Sequence, residues 1–364
     1  MSQNLGSILR PEDNNFALLR LGAAASVVLC HAVFLATGDE LRHPLAGSGR
    51  FNLGQQAVHV FFVLSGIMVA GSLDRAASIF EFAMARFLRI MPALVVCGVV
   101  TAFVLGPVVS TLPAGTYFAS ADPYVYPAQT VMLAKISAVL PGVFDANPVP
   151  KILNEPLWTL KFEVLCYLAL AALSVLGVWR SQRGFVALLV ISVLVFGPLT
   201  GERPGPAGPT LVGSFARLWL CFLTGLAFYR YRARLPLSWV YLAGVAGVTA
   251  LAWGTRLEPL LTFVLAGYGA VVLAAVPTGA LRTAANRRDL SYGMYIYGWP
   301  TSQTLVWAMP GLHPSATAAL SLVAAGGLAW MSWTWIERPS LAWKGALVRA
   351  LMSRPMFSTW ARQS

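Results

Sequence analysis

Ten apolar segments, each near the length of a membrane-spanning helix, follow one another along the chain. Charged residues, proline or glycine bound them, and a bilayer core about 30 Å thick needs roughly 20 apolar residues per spanning helix. The pattern therefore predicts an all-α integral membrane protein, a bundle of about ten transmembrane helices. The segments lie at about 15–37, 56–72, 88–108, 157–178, 184–199, 212–229, 236–253, 259–276, 291–309 and 316–336.

The segment 128–143 is a weaker apolar stretch that contains Lys135, Pro141 and Gly142. We interpret it as part of an extracytoplasmic loop or as a re-entrant segment. If it were a full span, the orientation of every later helix would be inverted.

Positive charge along the chain tests this assignment, because cytoplasmic loops collect Lys and Arg. With ten spans, most basic residues fall on one side, and both termini are predicted to be cytoplasmic. We expect residues 1–340 to form a membrane domain and 341–364 a short basic cytoplasmic tail, in the inner (plasma) membrane of a bacterium. The basic residues on that side are Arg75, Arg86, Arg89, Arg180, Arg183, Arg230, Arg232, Arg234, Arg282, Arg287, Arg288, Lys344, Arg349, Arg354 and Arg362.

Composition excludes the main soluble classes. The 364 residues are 57% hydrophobic and 11% charged, with a mean hydropathy of +0.67, whereas soluble domains are about a quarter charged. The net charge of +12 does not predict nucleic-acid binding, because the basic residues stand in small groups between apolar segments. No metal site or disulfide is predicted, since the cysteines have no such spacing. They are Cys30, Cys97, Cys166 and Cys221.

Two ionisable residues inside the predicted spans are candidates for chemistry. A charged group in the hydrocarbon is costly, so such residues usually face an internal cavity. His31 in the first span and Glu163 in the fourth are expected at the same depth. A carboxylate beside an imidazole supports general-base catalysis. The alternative is that His31 hydrogen-bonds a backbone carbonyl while Glu163 pairs with an arginine or Tyr167.

Three arginines are candidates for anion binding. Arg20 stands eleven residues before His31, which places both on one helix face about 16 Å apart. Arg20 then lines a pore, or it is a snorkelling anchor. Arg86 and Arg89, at the start of the third predicted span, have the spacing for bidentate phosphate contacts, although positive-inside charge produces many such pairs.

Small and aromatic residues mark two further helices. The segment FFVLSGIMVAGS, residues 61–72, predicts a helix with a small face for close packing, and Ser65 is expected to pack rather than act as a nucleophile. The ninth span begins with polar and aromatic residues that either line a cavity or belong to an interfacial aromatic belt. These are Asp289, Ser291, Tyr292, Tyr295 and Tyr297.

Taken together, these motifs resemble the family 3 membrane acyltransferases, which O-acetylate surface and secreted sugars. The resemblance covers nearly the whole chain, and the order and spacing of the motifs make it specific. The matching segments are Arg20 with His31, FFVLSG at 61–66, Arg86-Phe-Leu-Arg89 with Ile90 and Pro92, LWTLKFEVLCY at 157–167, SYGMYIYGWP at 291–300 and Ile336-Glu337-Arg338-Pro339.

The resemblance implies an acetyl-CoA-dependent O-acetyltransferase that acts on a sugar or polysaccharide, exopolysaccharide included. It implies that cytoplasmic acyl-CoA binds near Arg86 and Arg89 with help from Arg20, that His31 is catalytic and that Glu163 supports it. The substrate cavity is expected to include Trp158, Tyr167, Ser291 and Tyr292. The implied partners are acyl-CoA, the glycan acceptor and the bilayer, and a homo-oligomer or a partner in polysaccharide synthesis is compatible with this interpretation.

The chain departs from the family pattern at Gly298, where many members carry histidine. A mechanism that needs a second histidine in that helix is therefore doubtful here. We also expect no added extracytoplasmic hydrolase-like domain. The alternative function is a transporter of a sugar or acyl carrier, although the chain shows no paired inverted halves. A non-catalytic scaffold would not need Arg20, His31 and Glu163 inside its spans.

Overall fold

A computed structural model describes residues 3–39, 42, 52–133, 139–201 and 210–352, and within these ranges the secondary structure is helical with no named strand. The helices are α1 (Phe16–Thr37), α2 (Leu53–Arg75), α3 (Ile79–Val109), α4 (Ala114–Ala119), α5 (Asp122–Met132), α6 (Trp158–Val175), α7 (Gln182–Phe196), α8 (Leu211–Arg230), α9 (Trp239–Leu251), α10 (Glu258–Ala275), α11 (Ala280–Arg287), α12 (Ser291–Ala308), α13 (Pro314–Ser332), α14 (Arg338–Ala342) and α15 (Lys344–Met352).

Each of the ten predicted spans coincides with a helix, and the predicted membrane bundle is confirmed. Within the described ranges, eight helices are long and apolar enough to cross a bilayer. The other two predicted spans are α9, which has only 13 residues, and α12, which is rich in Ser, Thr and Tyr. Eight spans are therefore supported by length and composition, and the count of ten remains a prediction.

The loops that carry the arginines meet on one side of the bundle, here called the basic face. The Gly6 amide donates to the Arg232 carbonyl at 2.9 Å, and Arg230 donates to the Trp179 carbonyl at 2.9 Å. The Trp179 indole donates to Asp74 at 3.0 Å. These bonds group the loops as the positive-inside pattern predicted. The cytoplasmic orientation of this face remains a prediction, and residues 353–364 of the predicted tail lie outside the described residues.

Residues 147–156, here called the descending segment, run into the bundle along α12. Hydrogen bonds join Asn147 to Gln303 (3.0 Å), Ile152 to Trp299 (2.9 Å) and Asn154 to Ile296 (2.8 Å). From Gln303 to Ile296 the segment moves about 10 Å towards the basic face, at 1.5 Å per helical residue. Helix α6 consequently begins inside the bundle. Residues 134–138, part of the predicted loop at 128–143, lie outside the described residues.

Helices α2 and α8 are in backbone contact through two glycines. A Cβ atom added at Gly66 would lie 2.2 Å from the Phe222 carbonyl oxygen, and one added at Gly225 would lie 2.1 Å from that of Val63. Neither distance is sterically possible, so both positions require glycine at this helix separation. The predicted small face of residues 61–72 is thereby confirmed.

Replacing Gly66 with alanine is expected to push α2 away from α8 and to lower the free energy of unfolding by about 1–3 kcal/mol. The thermal unfolding midpoint of the detergent-solubilised protein measures the effect. Gly247→Ala in α9 is the matched control, because a Cβ there meets nothing within 4 Å. Equal midpoints for the two variants would contradict the close contact.

Candidate functional site

Four charged side chains form one ion-pair network near the basic face. Asp289 Oδ2 accepts from Arg20 at 2.8 Å and from Arg89 at 2.7 Å, and Arg89 also donates to Glu337 at 2.9 Å. The side chains of both arginines are 11% exposed, and that of Glu337 is 1% exposed. The network therefore joins α1, α3, the residues before α12 and the π-helical turn Trp333–Glu337 that follows α13.

Charge balance explains how this network lies inside the bundle. Two guanidinium groups face two carboxylates, so their buried charges cancel and each carboxylate accepts charge-assisted hydrogen bonds. Neutral hydroxyls complete the acceptor sites: Ser291 donates to Asp289 at 2.6 Å and Ser332 to Glu337 at 2.9 Å. The predicted snorkelling alternative for Arg20 does not apply, because its guanidinium is held by Asp289.

Arg86 and Arg89 lie inside α3, because this helix begins at Ile79 and extends beyond the predicted third span at 88–108. Glu81, Arg86 and Arg89 interrupt the apolar pattern in the first part of the helix, and contacts inside the fold neutralise Arg89. Where the membrane begins along α3 remains a prediction.

Arg86 is the arginine of this group whose charge is available to a ligand. Its guanidinium lies 5.8 Å from the centre of the Tyr167 ring and donates to the Ser72 hydroxyl at 3.3 Å. Its Nε atom is buried with no hydrogen-bond partner, and none of the described carboxylates lies within ion-pair distance of it. Of the three arginines that line this part of the bundle, Arg86 is therefore the one that is not ion-paired to a described carboxylate.

Glu163 lies beside Arg86, with Tyr167 and Ser65 as its hydrogen-bond donors. The Tyr167 hydroxyl donates to Glu163 Oε1 across one helical turn, and the Ser65 hydroxyl donates to the same atom at 3.4 Å. Of the predicted alternatives for Glu163, the structure shows the pairing with Tyr167. Ser65 is buried and serves as a hydrogen-bond donor, consistent with the expectation that it is not a nucleophile.

His31 and Glu163 do not lie at the same depth, so that prediction is wrong. His31 lines a cavity on the side away from the basic face, with its ring edge-to-face against Trp299 at 4.9 Å. Glu163 lines smaller cavities nearer the arginines. The physical reason is the descending segment, which makes α6 start inside the bundle and moves Glu163 towards the basic face.

Three cavities that share lining residues lie in series between the two regions. The outer cavity has a volume of about 560 Å³ and is lined by His31, Trp158 and Lys161 among others. A neck of about 20 Å³ lies between Val27, Val58 and Tyr295 and shares these residues with the outer cavity. The inner cavity, of about 40 Å³, holds the arginines and shares other residues with the neck, namely Phe61, Glu163 and Tyr292.

Arg20 lines the inner cavity and His31 the outer one, as their eleven-residue spacing on α1 predicted. Tyr167 also lines the inner cavity, and the Tyr292 hydroxyl donates to the Ile90 carbonyl at 2.8 Å. Ser291 differs from the prediction, since it is fully buried and its hydroxyl is bonded to Asp289 instead of lining a cavity.

Sequence reasoning missed several polar residues of the outer cavity, among them His59 on α2 and Arg217 on α8. It also did not identify Asp289 and Glu337 as the partners of the arginines. Arg217 carries a signal that could have found it, because it is a single charge inside the apolar run 212–229. Within the described residues, no group of three or more His, Cys, Asp or Glu side chains is placed to hold a metal ion.

Gly298 packs directly against α1. A Cβ added there would lie 2.4 Å from Val28 Cγ2, one helical turn before His31. A histidine at this position would therefore require at least the Val28 side chain to move. The absence of a second histidine in α12 is consistent with the packing of this chain.

Asp289→Asn is expected to leave two buried guanidinium groups short of negative charge and to lower the free energy of unfolding by about 3–5 kcal/mol. Thermal unfolding in detergent measures the loss. Asp122→Asn is the matched control, because the Asp122 carboxylate is exposed and accepts from the nearby Ser120 hydroxyl at 2.9 Å. A loss no larger than that of the control would contradict a stabilising role for the network.

Comparison with known proteins places the whole chain in a family. The chain is 28% identical over 339 residues to an "O-acetyl transferase" of Shigella phage Sf6, covering 90% of this chain and 96% of that protein. It is 29% identical over 381 residues to "Nodulation protein 10" of Rhizobium leguminosarum bv. viciae, covering 93% and 96%. No solved structure shows a significant match. The family profile described as "Acyltransferase domain" matches residues 13–361, so the chain belongs to this family of membrane acyltransferases.

Proposed function

We propose that the protein is an O-acetyltransferase that moves an acetyl group from cytoplasmic acetyl-CoA to a hydroxyl of an extracytoplasmic sugar or polysaccharide. The observation that carries the proposal is the series of cavities from the arginines of the basic face to His31. A donor entering from one side and an acceptor from the other would meet along this path. The name of the phage relative, an O-acetyl transferase, supports the same chemistry.

Arg86 would bind the donor. Because Arg20 and Arg89 are neutralised by Asp289 and Glu337, Arg86 is the cation best placed to accept a phosphate of acyl-CoA. Arg20 and Arg89, held by these carboxylates, keep the wall of the inner cavity in place. With the phosphates at the basic face, the long pantetheine arm of the donor would carry the thioester through the neck towards His31.

His31 would act as the general base. Its imidazole removes the proton from the acceptor hydroxyl as the oxygen attacks the thioester carbonyl. The tetrahedral intermediate collapses by breaking the carbon–sulfur bond, and the CoA thiolate takes the proton from the imidazolium. The products are the acetyl ester of the sugar and free CoA, so the histidine returns to its starting state.

Glu163 would act on the donor side as a positioning residue. Its carboxylate holds the Tyr167 hydroxyl, and the Tyr167 ring supports the Arg86 guanidinium. This role replaces the expected contact between Glu163 and the catalytic histidine. It also explains the need for a carboxylate at this depth, because the charge of Glu163 partly balances the nearby charge of Arg86.

His31→Ala is expected to abolish acetyl transfer while the thermal unfolding midpoint stays close to that of the wild type. Reconstituted protein supplied with labelled acetyl-CoA on the basic-face side and a glycan on the other measures the transfer. His313→Asn is the matched control, since His313 is an exposed histidine whose side chain caps α13. Transfer retained by His31→Ala would disprove the proposed base. Movement of intact sugar or donor without acetylation would favour the transporter alternative.

Arg86→Gln is expected to raise KM for acetyl-CoA about ten-fold or more, the range of a lost charge-assisted hydrogen bond, with a smaller effect on kcat. Initial rates at varied donor concentration measure both constants. Arg75→Gln at the exposed end of α2 is the control for the loss of one positive charge on the basic face. An unchanged KM in Arg86→Gln would exclude Arg86 as a donor ligand.

A further inference from the structure

Two polar side chains of the outer cavity have no role in the mechanism described above. His59 on α2 is 3% exposed, and Arg217 is half-buried in the first half of the apolar helix α8. His59 Nε2 and Arg217 Nε are both buried without a hydrogen-bond partner among the described residues. Buried polar atoms are almost always satisfied in folded proteins, so two unsatisfied ones in a single cavity require an explanation.

The charge of Arg217 is not neutralised by the described part of the protein. No described carboxylate lies within ion-pair distance of it. Among the described residues that line this cavity, Lys161 and Glu155 carry opposite charges and Arg217 adds a further positive charge. A charged side chain within a membrane helix costs a few kcal/mol or more, and such residues usually serve a function.

His59 is oriented by its neighbours. Its Nδ1 atom lies 3.3 Å from Gln56 Oε1, and its ring lies edge-to-face against Phe263 at 4.9 Å. When Nδ1–H donates to Gln56, the unprotonated Nε2 atom is a hydrogen-bond acceptor. Arg217 lines the same cavity as His59. The pair therefore offers one cationic donor group and one neutral acceptor.

We propose that Arg217 and His59 form an anion subsite of the outer cavity that binds a carboxylate or phosphate group of the acceptor sugar. The planar guanidinium donates to the anionic oxygens, and His59 Nε2 accepts from a neighbouring sugar hydroxyl. The substrate class is thus an acidic glycan. This inference rests on the proposed function, because it assumes that the acceptor enters the cavity that holds His31.

The position of the subsite favours the acceptor over the donor as its ligand. Arg217 and His59 line the same cavity as His31, whereas Arg86 lies beyond the neck. The donor, with its phosphates bound by Arg86, would enter the series of cavities from one end. The acceptor, with its anionic group bound by Arg217, would enter from the other end. The subsite would anchor the charged end of the sugar and leave another hydroxyl free to reach His31.

Ligand binding to the purified protein tests the subsite without requiring turnover. The probes are galacturonate, its neutral methyl ester, galactose 6-phosphate and galactose, all added to the full-length protein in detergent while thermal unfolding is followed. A ligand that binds the folded state raises the midpoint by mass action. We expect one or both anionic sugars to stabilise the protein more than their neutral counterparts, and which one does so identifies the anion.

Arg217→Gln is expected to lower the affinity for the anionic sugar about ten-fold or more and to remove its advantage over the neutral form. Arg217→Lys should retain part of the advantage, because the charge remains. Arg256→Gln is the matched control, as it removes an exposed charge from the loop between α9 and α10. Equal binding of charged and neutral sugars by the wild type, or unchanged selectivity in Arg217→Gln, would overturn the subsite.

Two further measurements distinguish the subsite from a purely structural role of Arg217 and from a failure of the proposed base. Without ligand, Arg217→Gln should be at least as stable as the wild type, because the substitution removes an unpaired charge. A lower thermal unfolding midpoint would indicate a structural role of Arg217 and would count against the subsite. His31→Ala should lose transfer yet keep the preference for the anionic sugar. If His31→Ala retained transfer while the preference depended on Arg217, the proposed base would fail and the subsite would stand.

Discussion

The sharing of one carboxylate, Asp289, between two buried arginines is the interaction on which the rest of the structure depends. It ties α1 to α3 and to the start of α12, and Glu337 extends the same network to the end of α13. Without these carboxylates, Arg20 and Arg89 would be uncompensated charges inside an apolar bundle. With them, Arg20 and Arg89 are ion-paired within the wall of the inner cavity. Arg86 is the third arginine of that cavity, and no described carboxylate forms an ion pair with it.

This arrangement gives the two motif arginines of α3 different tasks. They stand three residues apart and so share a helix face, yet Arg89 is bonded to two carboxylates while Arg86 rests on the Tyr167 ring. Arg86 and Arg89 are therefore not two equivalent phosphate-binding residues. The distinction depends on residues about 200 positions away in the chain, so spacing alone could not reveal it.

The membrane spans were predictable from the sequence because the transfer of apolar side chains out of water dominates their placement. The same reasoning is incomplete where partners neutralise a charge: helix α3 begins at Ile79, before the apolar run at 88–108 that predicted the third span. It fails where backbone enters the bundle without an apolar pattern, as in the descending segment, and this displaced Glu163 from its expected depth.

The candidate site was predictable in part. The eleven-residue spacing of Arg20 and His31 predicted that both side chains share one face of α1. This prediction needs only the geometry of a single helix. The partners of Arg20 and the placement of His59 and Arg217 in one cavity depend on how distant helices pack, and sequence patterns do not contain that information. Arg217 itself was visible as an isolated charge in an apolar run.

The close glycine contacts have a consequence for motion. Helices α2 and α8 touch backbone to backbone at Gly66 and Gly225, and α12 fits against Val28 of α1 at Gly298. Sliding within a pair would bring a Cβ atom against the groups that now fit at these glycines, so it is sterically opposed. His59 and Arg217 belong to one pair, whereas His31 and Tyr295 belong to the other. A wider neck would therefore require the two pairs to move apart, and the polar groups within each pair would keep their places.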